Sequence, residues 1–310
     1  MPLLTSSRGL LDPPMKFTEI SAPDFDLAKT LDSGQVFHWE KCDAGFAGTI
    51  GTEPACVKQR GNELFVIGPS MQKVRRYFAL DHPLAEICAS FPDDPAMREA
   101  RDYCNGLRII RQPRWECLAT FICSSMKQIA HIRQISRALR QRFGAPKKVV
   151  DLVVHTFPSS ERLAETSEKE LRECALGYRA KNLFATARLA ASGEVNLEKW
   201  SKLSDVELRE KLCELPGVGG KVANCVMLFA YERLGAFPID VWIERVLKEK
   251  YFPRKRKVTP QRLRAFSASY FGPHGGYAQQ YLFHHARKTS PRKQQHSSGK
   301  SGQPLSAGPN

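Results

Sequence analysis

The sequence lacks the features of an exported or membrane-spanning protein. It contains no apolar run of membrane-spanning length, and no hydrophobic signal segment follows Met1. The nine cysteines are odd in number and form no CxxC pair, so they do not indicate a regular disulfide framework or a zinc site. We therefore expect an intracellular protein with free or buried thiols and no membrane partner.

Acidic residues are scarce relative to basic ones. The chain has 32 Asp and Glu against 47 Lys and Arg, which gives a formal net charge of +15. Such an excess implies a polyanionic partner, with nucleic acid ahead of an acidic membrane surface. The basic runs at 147–148 and 254–257 are each ordinary solvated surface by default. Charge therefore predicts nucleic-acid binding but not catalysis.

The 310 residues divide into segments of different pattern. Short runs such as GFAGTIG, ACVKQR and ELFVIG, separated by Gly, Asn and Pro, predict strands and hairpins. From Pro95 onward the apolar residues follow a helical period, as in the stretch 115–144, which ends in a glycine cap. We expect a flexible N-terminus (1–15), an antiparallel β domain (16–95), a helical region (96–288) and a disordered basic tail (289–310).

The most informative stretch is LPGVGGKVANCVMLFAYERLGAFPID, residues 215–240. Residues 207–215 read as the end of one helix, 216–220 as a tight turn and 221–234 as an apolar helix, which together form a helix-hairpin-helix. Glycine allows close approach of a ligand, and the amides at a helix N-terminus suit a phosphate oxygen. The candidate backbone contacts to a phosphate are Gly217, Val218, Gly219 and Gly220.

Each part of this unit has an ordinary alternative. Glycine-rich turns between packed helices are common, so LPGVG alone favours a packing turn over a phosphate site. Asp240 precedes the amphipathic run VWIERVLKEK, and in isolation it predicts only a helix N-cap. Capping and catalysis are compatible, because helix amides hold an N-cap carboxylate rigidly and favour its ionised form.

The spacing of these residues resembles a known family. LPGVGGKVANC followed by FPIDVWIERV is similar to the helix-hairpin-helix-GPD (HhH-GPD) superfamily of base-excision DNA glycosylases, and within it to the 8-oxoguanine DNA glycosylases. The same family is indicated, in the same order, by SGQVFHW (33–39), LRIIRQPRWECLATFICSS (107–125), ALGYRAK (175–181) and FGPHGGYAQQYLF (271–283). The resemblance covers residues 16–288 and implies an α+β fold, mostly helical, with a small N-terminal antiparallel β-sheet.

The resemblance also implies a chemistry. Lys221 would be the amine nucleophile at C1′ of the damaged nucleotide, forming a Schiff base, and Asp240 would stabilise the cationic sugar. The expected activity is excision of 8-oxoguanine from double-stranded DNA followed by strand cleavage through β-elimination. Two alternatives stay open: a monofunctional glycosylase for alkylated bases, which lacks the lysine, and a non-catalytic helix-hairpin-helix protein that only binds DNA.

Pocket roles follow from the same resemblance. The Gly34 carbonyl would accept a hydrogen bond from the N7 hydrogen that 8-oxoguanine has and guanine lacks. Phe283 and Cys225 would sandwich the flipped base, and Gln279 would bind its Watson–Crick edge. From periodicity alone, Phe283 and Cys225 predict core positions and Gln279 a surface position.

Residues that fill and read the DNA on the opposite side of the lesion are only partly matched. Tyr178 would be the wedge beside the flipped base, with Arg179 contacting the unpaired partner base. Met126 and His131 stand where mammalian-type members have an asparagine and an arginine, so we expect weak discrimination among opposite bases. Trp242 replaces a histidine near the backbone phosphate, which leaves that contact open.

The remaining expectations concern cofactors and assembly. Superfamily members of the endonuclease III type carry a four-cysteine iron–sulfur loop after the catalytic helices, whereas the last cysteine here is Cys225. We expect no iron–sulfur cluster, no catalytic metal, a structural cation at the hairpin as an option, and a monomer. The compartment is DNA-associated, in the nucleoid or the nucleus according to the organism.

Overall fold

The computed structural model describes residues 17–254 and 257–290. The predicted flexible N-terminus (1–15) and nearly all of the predicted basic tail (289–310) lie outside these ranges. Within them, no helix is long and apolar enough to cross a bilayer.

A five-stranded antiparallel sheet forms from the N-terminal part of the chain, as the Gly-, Asn- and Pro-punctuated runs predict. Its strands follow one another as a meander, except that β1 pairs with β5 at one edge. The strand order is β1-β5-β4-β3-β2. The bounds are β1 (Thr18–Ser21), β2 (Glu40–Cys42), β3 (Gly45–Ile50), β4 (Glu53–Arg60) and β5 (Glu63–Ile67).

Helices make up most of the remaining described chain, which confirms the α+β fold class. Those that precede the hairpin are α1 (Leu27–Asp32), α2 (Met71–Tyr77), α3 (Leu84–Ala89), α4 (Pro95–Tyr103), α5 (Arg114–Ser124), α6 (Ile129–Phe143), α7 (Ser160–Ala164), α8 (Glu168–Leu171) and α9 (Arg179–Ala191). The later ones are α10 (Asp205–Cys213), α11 (Gly220–Tyr231), α12 (Val241–Val246), α13 (Pro260–Tyr270) and α14 (Gly275–Thr289). Short π-helical segments follow α8 and α12, at Arg172–Leu176 and Leu247–Tyr251.

Two features differ from the sequence prediction. The helical period of 115–144 is interrupted at 125–128. Met126 there has a left-handed backbone conformation (φ 52°), and this segment contains no glycine that would have indicated it. A second, two-stranded sheet, β6 (Pro146–Val149) and β7 (Leu152–His155), lies inside the predicted helical region. It packs on the first sheet through a small apolar cluster of Ala47, Cys56 and Val149. Both differences affect the position of α6.

A buried ion pair joins the sheets to the helices. Arg140 of α6 pairs with Glu116 of α5, and both residues are more than nine-tenths buried. The Arg140 guanidinium also donates to the Thr49 hydroxyl of β3 (3.0 Å) and to the His155 carbonyl of β7 (2.9 Å). Burial raises the pKa of Glu116 against the opposing effect of Arg140, and burial with the Arg140 charge holds the pKa of nearby His38 well below its usual value. His38 is therefore neutral and the Arg140 cation has a single buried counter-ion within this network.

This network predicts a large stability effect. Arg140→Met should lower the free energy of unfolding by about 3–5 kcal/mol, because it leaves the Glu116 carboxylate buried without its counter-ion. The double variant Arg140→Met with Glu116→Leu should recover much of the loss. The loss should be smaller in mildly acidic buffer than at neutral pH, since a protonated Glu116 needs no counter-ion. Urea unfolding followed by circular dichroism measures all three.

The control is Arg137→Met on the same helix. Arg137 pairs with Glu40 at 3.5 Å, and both side chains are mostly exposed, so its loss should cost less than about 1 kcal/mol. Equal costs for the Arg137 and Arg140 substitutions would contradict a special role for the buried pair.

Candidate active site

The hairpin forms at 214–219, between α10 and α11. Helix α10 begins at Asp205, after a reciprocal capping box between Ser204 and Glu207, and ends at Cys213, two residues before the predicted end at Leu215. Gly217 has φ 80°, and a Cβ there would lie 2.8 Å from the Asn182 side chain, so only glycine fits this turn. Val218 is buried, whereas Gly219 is exposed and caps α11. The backbone at Gly219 and Gly220 is thus open to a ligand at a helix N-terminus.

Lys221 lies in the first turn of α11 and is partly buried. Its Nζ is 3.5 Å from the Ser124 hydroxyl and 5.1 Å from the centre of the Phe121 ring, both on α5. The Ser124 hydroxyl donates to the Phe121 carbonyl (2.8 Å), so its oxygen lone pairs face the amine. The amine therefore sits over an aromatic face, and its polar neighbours are the Ser124 hydroxyl and the Cys225 thiol.

Asp240 is the N-cap of α12, as the ordinary interpretation predicts. Its carboxylate accepts from the Ile243 amide at 2.9 Å and interacts with the charge of Lys221. Burial nevertheless raises the pKa of Asp240, which outweighs the lowering by the helix amides and the lysine. The expected stabilisation of the ionised form by the amides is thus present but smaller than the cost of burial.

Cys225 stands one turn after Lys221 on α11 and is buried. Burial raises the pKa of its thiol to about 11; Lys221 acts to lower it and Asp240 to raise it. The thiol is therefore neutral near pH 7 and presents a small apolar surface rather than a nucleophile. Lys221, Asp240 and Cys225 are thus close enough for each to act on the charge of the others.

Gly34 lies against Phe283 and Ile129. Its φ is 85°, and a Cβ there would approach Ile129 Cδ1 to 2.9 Å and Phe283 Cε1 to 3.0 Å. The carbonyls of the two preceding residues are bound by α14: Arg287 donates to Asp32, and Gln280 donates to Ser33 at 2.8 Å. Within 17–254 and 257–290, by contrast, no hydrogen bond reaches the Gly34 carbonyl. This carbonyl is a free acceptor beside an aromatic ring.

Gln279 is buried, contrary to the surface position that periodicity predicts. Its Oε1 is fully enclosed and has no hydrogen-bond partner among the described residues. An unpaired buried amide oxygen costs free energy, so this group needs a hydrogen-bond partner, which either a buried water or a ligand can supply.

The Gly34 and Lys221 regions are linked through aromatic rings. Phe37, three residues after Gly34, packs edge-on against Phe121 at 6.2 Å, and Phe121 lies beneath the Lys221 amine. Phe121 in turn stacks on Phe229 of α11 at 5.5 Å. Helix α5, through Phe121, therefore contacts both the Lys221 amine and the segment that follows Gly34.

Tyr178 and Met126 are exposed tips of two adjacent loops. Tyr178 is 57% exposed, and Met126 is 93% exposed. Arg179 is buried between them: its guanidinium donates to the Ser125 carbonyl (2.7 Å) and the Leu176 carbonyl (3.3 Å) and lies 4.3 Å from the centre of the Tyr178 ring. Arg179 thus braces both loops here, and the predicted contact to an unpaired base requires some of these bonds to be released.

His131 and Trp242 occupy less constrained positions. His131 is exposed on the first turn of α6. Trp242 is partly buried two residues after Asp240, where the Arg245 guanidinium lies 5.3 Å from its ring. The backbone amide of Trp242 donates to the Asp240 carboxylate and lowers the pKa of Asp240, so Trp242 contributes to the helix cap through its main chain.

A cavity of about 190 Å³ opens beside Lys221. Its lining includes Gly220 and Asn224, and its charged side chains are three cations, Arg209, Lys221 and Arg264, and one carboxylate, Glu244. Cations at the N-terminus of a helix create a strongly anion-attracting surface. This end of the molecule therefore suits a phosphate backbone.

Three residues that support Lys221 and Asp240 were not predicted from the sequence. Phe121 and Ser124 contact the Lys221 amine from α5, which only the tertiary packing shows. Asn224 donates from Nδ2 to the Phe237 carbonyl at 3.0 Å and so ties α11 to the loop that ends at Asp240. Asn224 lies three residues after Lys221, and a polar residue in an otherwise apolar run is the one feature that could have indicated it.

Comparison with known families agrees with this geometry. The model of the 8-oxoguanine DNA glycosylase N-terminal domain matches residues 18–118, and that of the HhH-GPD superfamily base excision DNA repair protein matches residues 119–270. Together the two models cover the described sheet, the hairpin and both candidate catalytic residues.

Individual relatives extend over most of the chain. It is 31% identical to the N-glycosylase/DNA lyase OGG1 of Arabidopsis thaliana (87% of this chain, 79% of the relative) and 27% identical to a probable N-glycosylase/DNA lyase of Methanothermobacter thermautotrophicus (87% and 96%). The structure is similar to that of the Clostridium acetobutylicum 8-oxoguanine glycosylase/lyase in complex with double-stranded DNA containing cytosine opposite 8-oxoguanine (TM-score 0.81, 30% identity, 88% and 98% coverage). The chain therefore belongs to the HhH-GPD superfamily of base excision DNA repair proteins and, within it, to the 8-oxoguanine DNA glycosylases.

Proposed function

We propose that this protein is a bifunctional DNA glycosylase and lyase that excises 8-oxoguanine from duplex DNA and then cleaves the strand. The observation that carries the proposal is the placement of Lys221 and Asp240 together at the N-termini of two helices, next to a neutral thiol and a cationic cavity. Family membership and the glycosylase/lyase relatives support the same conclusion.

Lys221 acts as the nucleophile. Its neutral amine attacks C1′ of the damaged nucleotide, the C1′–N9 bond breaks, and the base leaves with a proton. The nitrogen bonded to C1′ loses the proton that the departing base takes up. The C1′–O4′ bond of the aminal then breaks, O4′ takes a proton from solvent, and a protonated Schiff base forms between Nζ and C1′. Loss of a C2′ proton then expels the 3′ phosphate, and water releases the lysine. The Phe121 face and the weak Ser124 contact hold the amine without a carboxylate bonded to it.

Asp240 supplies the negative charge that the reaction needs. Positive charge develops on the sugar as the C1′–N9 bond breaks, and a carboxylate fixed by the Ile243 amide can stabilise it without reorganisation. Partial burial strengthens this interaction and at the same time favours the protonated acid. The role therefore requires that the pH lie above the raised pKa of Asp240.

The proposed base pocket consists of two polar groups without a partner among the described residues and two side chains that stack on the base. The free Gly34 carbonyl accepts from N7–H of 8-oxoguanine, the unpaired Gln279 amide binds the Watson–Crick edge, and the Phe283 and Cys225 side chains stack on the base. Guanine presents a lone pair at N7 to the same carbonyl, which costs about 1–3 kcal/mol. Tyr178 fills the gap in the duplex, and the hairpin backbone binds phosphate.

The alternatives account for less of the geometry. A monofunctional glycosylase for alkylated bases has no use for an amine beside Asp240, and a non-catalytic DNA-binding protein has no use for a partly buried amine and carboxylate that interact. We further propose that the enzyme acts as a monomer without an iron–sulfur cluster or catalytic metal, that any cation at the hairpin is structural, and that it works where the cell's DNA is.

The lysine mechanism predicts a covalent product. Wild-type protein incubated with 8-oxoguanine duplex and borohydride should form a protein–DNA adduct, and Lys221→Gln should form none, because glutamine has no nucleophilic amine. Lys211→Gln, on the exposed face of α10, is the matched control and should behave as wild type. Base release without an adduct in the wild type would favour the monofunctional alternative. If the wild type gave neither base release nor an adduct, only the non-catalytic DNA-binding alternative would remain.

Asp240→Asn separates capping from charge. Asparagine caps a helix as well as aspartate does, so unfolding free energy should change by less than about 1 kcal/mol while base release falls by about 10²–10³-fold. In the wild type the release rate should fall on the acidic side at a pH above the ordinary aspartate value of 3.8, since the pKa of Asp240 is raised. Single-turnover rates across pH test both; an acidic limb at or below 3.8 would contradict the role.

The opposite-base contacts predict weak discrimination. A methionine at 126 cannot donate to a base edge, and Arg179 is engaged with Ser125, so excision rates opposite C and opposite A should differ by less than about tenfold. The double variant Met126→Asn with His131→Arg should raise this ratio. A ratio in the wild type as large as that of the mammalian enzymes would show the prediction to be wrong.

A further inference from the structure

An ionic cluster centred on Asp32 lies behind the pocket proposed for the base. Asp32 is the last residue of α1, two residues before Gly34. Its carboxylate contacts Arg133 of α6 at 3.0 Å and Arg287 and Lys288 of α14 at 3.5 and 2.5 Å. Arg287 donates to the Asp32 backbone carbonyl as well. One carboxylate thus joins the ends of three helices.

These three helices are the ones that meet at Gly34. Ile129 and Phe283, whose side chains contact Gly34, each lie four residues before a cluster member, Arg133 and Arg287 respectively. Residues four apart share a face of a helix, so each wall residue and its cation project to the same side. The Asp32 cluster therefore connects Ile129, Phe283 and the segment that contains Gly34 through one carboxylate.

The charged side chains of the cluster differ in their exposure to solvent, and this exposure limits how much the cluster can contribute to global stability. Arg287 is 16% exposed in its side chain, whereas Arg133, Lys288 and Asp32 are 35–45% exposed. Partly exposed ion pairs contribute little to global stability. Their directional contacts can still hold a site in place, and displacement of a reacting group by about 1 Å can cost about 10²-fold in rate.

We propose that Asp32 is a positioning residue for recognition of the oxidised base: by binding Arg133, Arg287 and Lys288 it sets the spacing between the Gly34 carbonyl, Phe283 and Ile129. Asp32 does not touch the base, and it acts only through these neighbours. The inference rests on the proposed base pocket and goes beyond it, because no residue of the cluster belongs to that pocket.

The two reactions of the enzyme separate this role from general stability. Excision requires the base pocket, whereas strand cleavage at a preformed abasic site requires Lys221 but no base. Asp32→Asn keeps the size of the side chain and removes its charge, so excision of 8-oxoguanine should fall by about 5- to 50-fold while abasic-site cleavage stays within about twofold. Partly unfolded protein in the same sample lowers both rates equally and leaves their ratio unchanged.

Two further variants make the test specific. Arg133→Gln removes one ion pair and leaves Arg287 and Lys288 in place, so it should shift the ratio in the same direction by a smaller factor. Glu40→Gln removes the exposed pair between Glu40 of β2 and Arg137, which lies one turn further along α6 than Arg133, and should leave the ratio at the wild-type value. Binding can be measured in the Lys221→Gln background, which does not cleave DNA. The ratio of the affinities for 8-oxoguanine duplex and guanine duplex should fall when Asp32→Asn is added.

The outcomes are distinct. An unchanged ratio in Asp32→Asn and Arg133→Gln, or a shift equal to that of Glu40→Gln, would overturn the role of Asp32 while the activity of the wild type still upholds the glycosylase assignment. A wild type that cleaves abasic sites and releases no 8-oxoguanine would instead overturn the proposed base pocket, whatever the variants do.

Discussion

The buried pair of Arg140 and Glu116 is the interaction on which the rest of the structure depends. It is the point where α5, α6 and both sheets meet, and two of these elements, α5 and α6, carry residues of the site. Helix α5 carries Phe121 and Ser124 beneath the catalytic amine, and α6 begins at Ile129 against Gly34. Since a buried ion pair is costly unless its geometry is fully satisfied, it permits few relative placements of these helices.

Burial affects the Cys225 thiol and the Asp240 carboxyl to different degrees. It raises the pKa of Cys225 far enough to keep the thiol neutral, and it raises the pKa of Asp240 only in part, because the Ile243 amide and Lys221 oppose it. The same desolvated setting thus provides both an apolar surface, at Cys225, and a carboxylate, at Asp240. Helix N-termini make this division possible, since they supply fixed amides where water is excluded.

The sequence indicates those parts of the molecule whose pattern is local. The strands between 17 and 69 and the hairpin at 216–220 follow from turn residues and apolar period, and they occur close to the predicted positions. The break at Met126, the β6–β7 hairpin and the end of α11 at Tyr231 do not, because tertiary contacts determine them; Glu232, left-handed after α11, is held by Arg111 from a distant segment. Likewise, an arginine after a tyrosine looks solvated, yet Arg179 is buried.

Recognition through the Gly34 carbonyl limits what mutation can change. The atom that would distinguish the damaged base belongs to the main chain, so no substitution at position 34 can alter its chemistry, and any side chain there is excluded by Phe283 and Ile129. Selectivity can therefore drift only through neighbours that displace this atom. A damage-recognition site built in this way is robust to point mutation at its centre and evolvable mainly at its periphery, in residues that never meet the substrate.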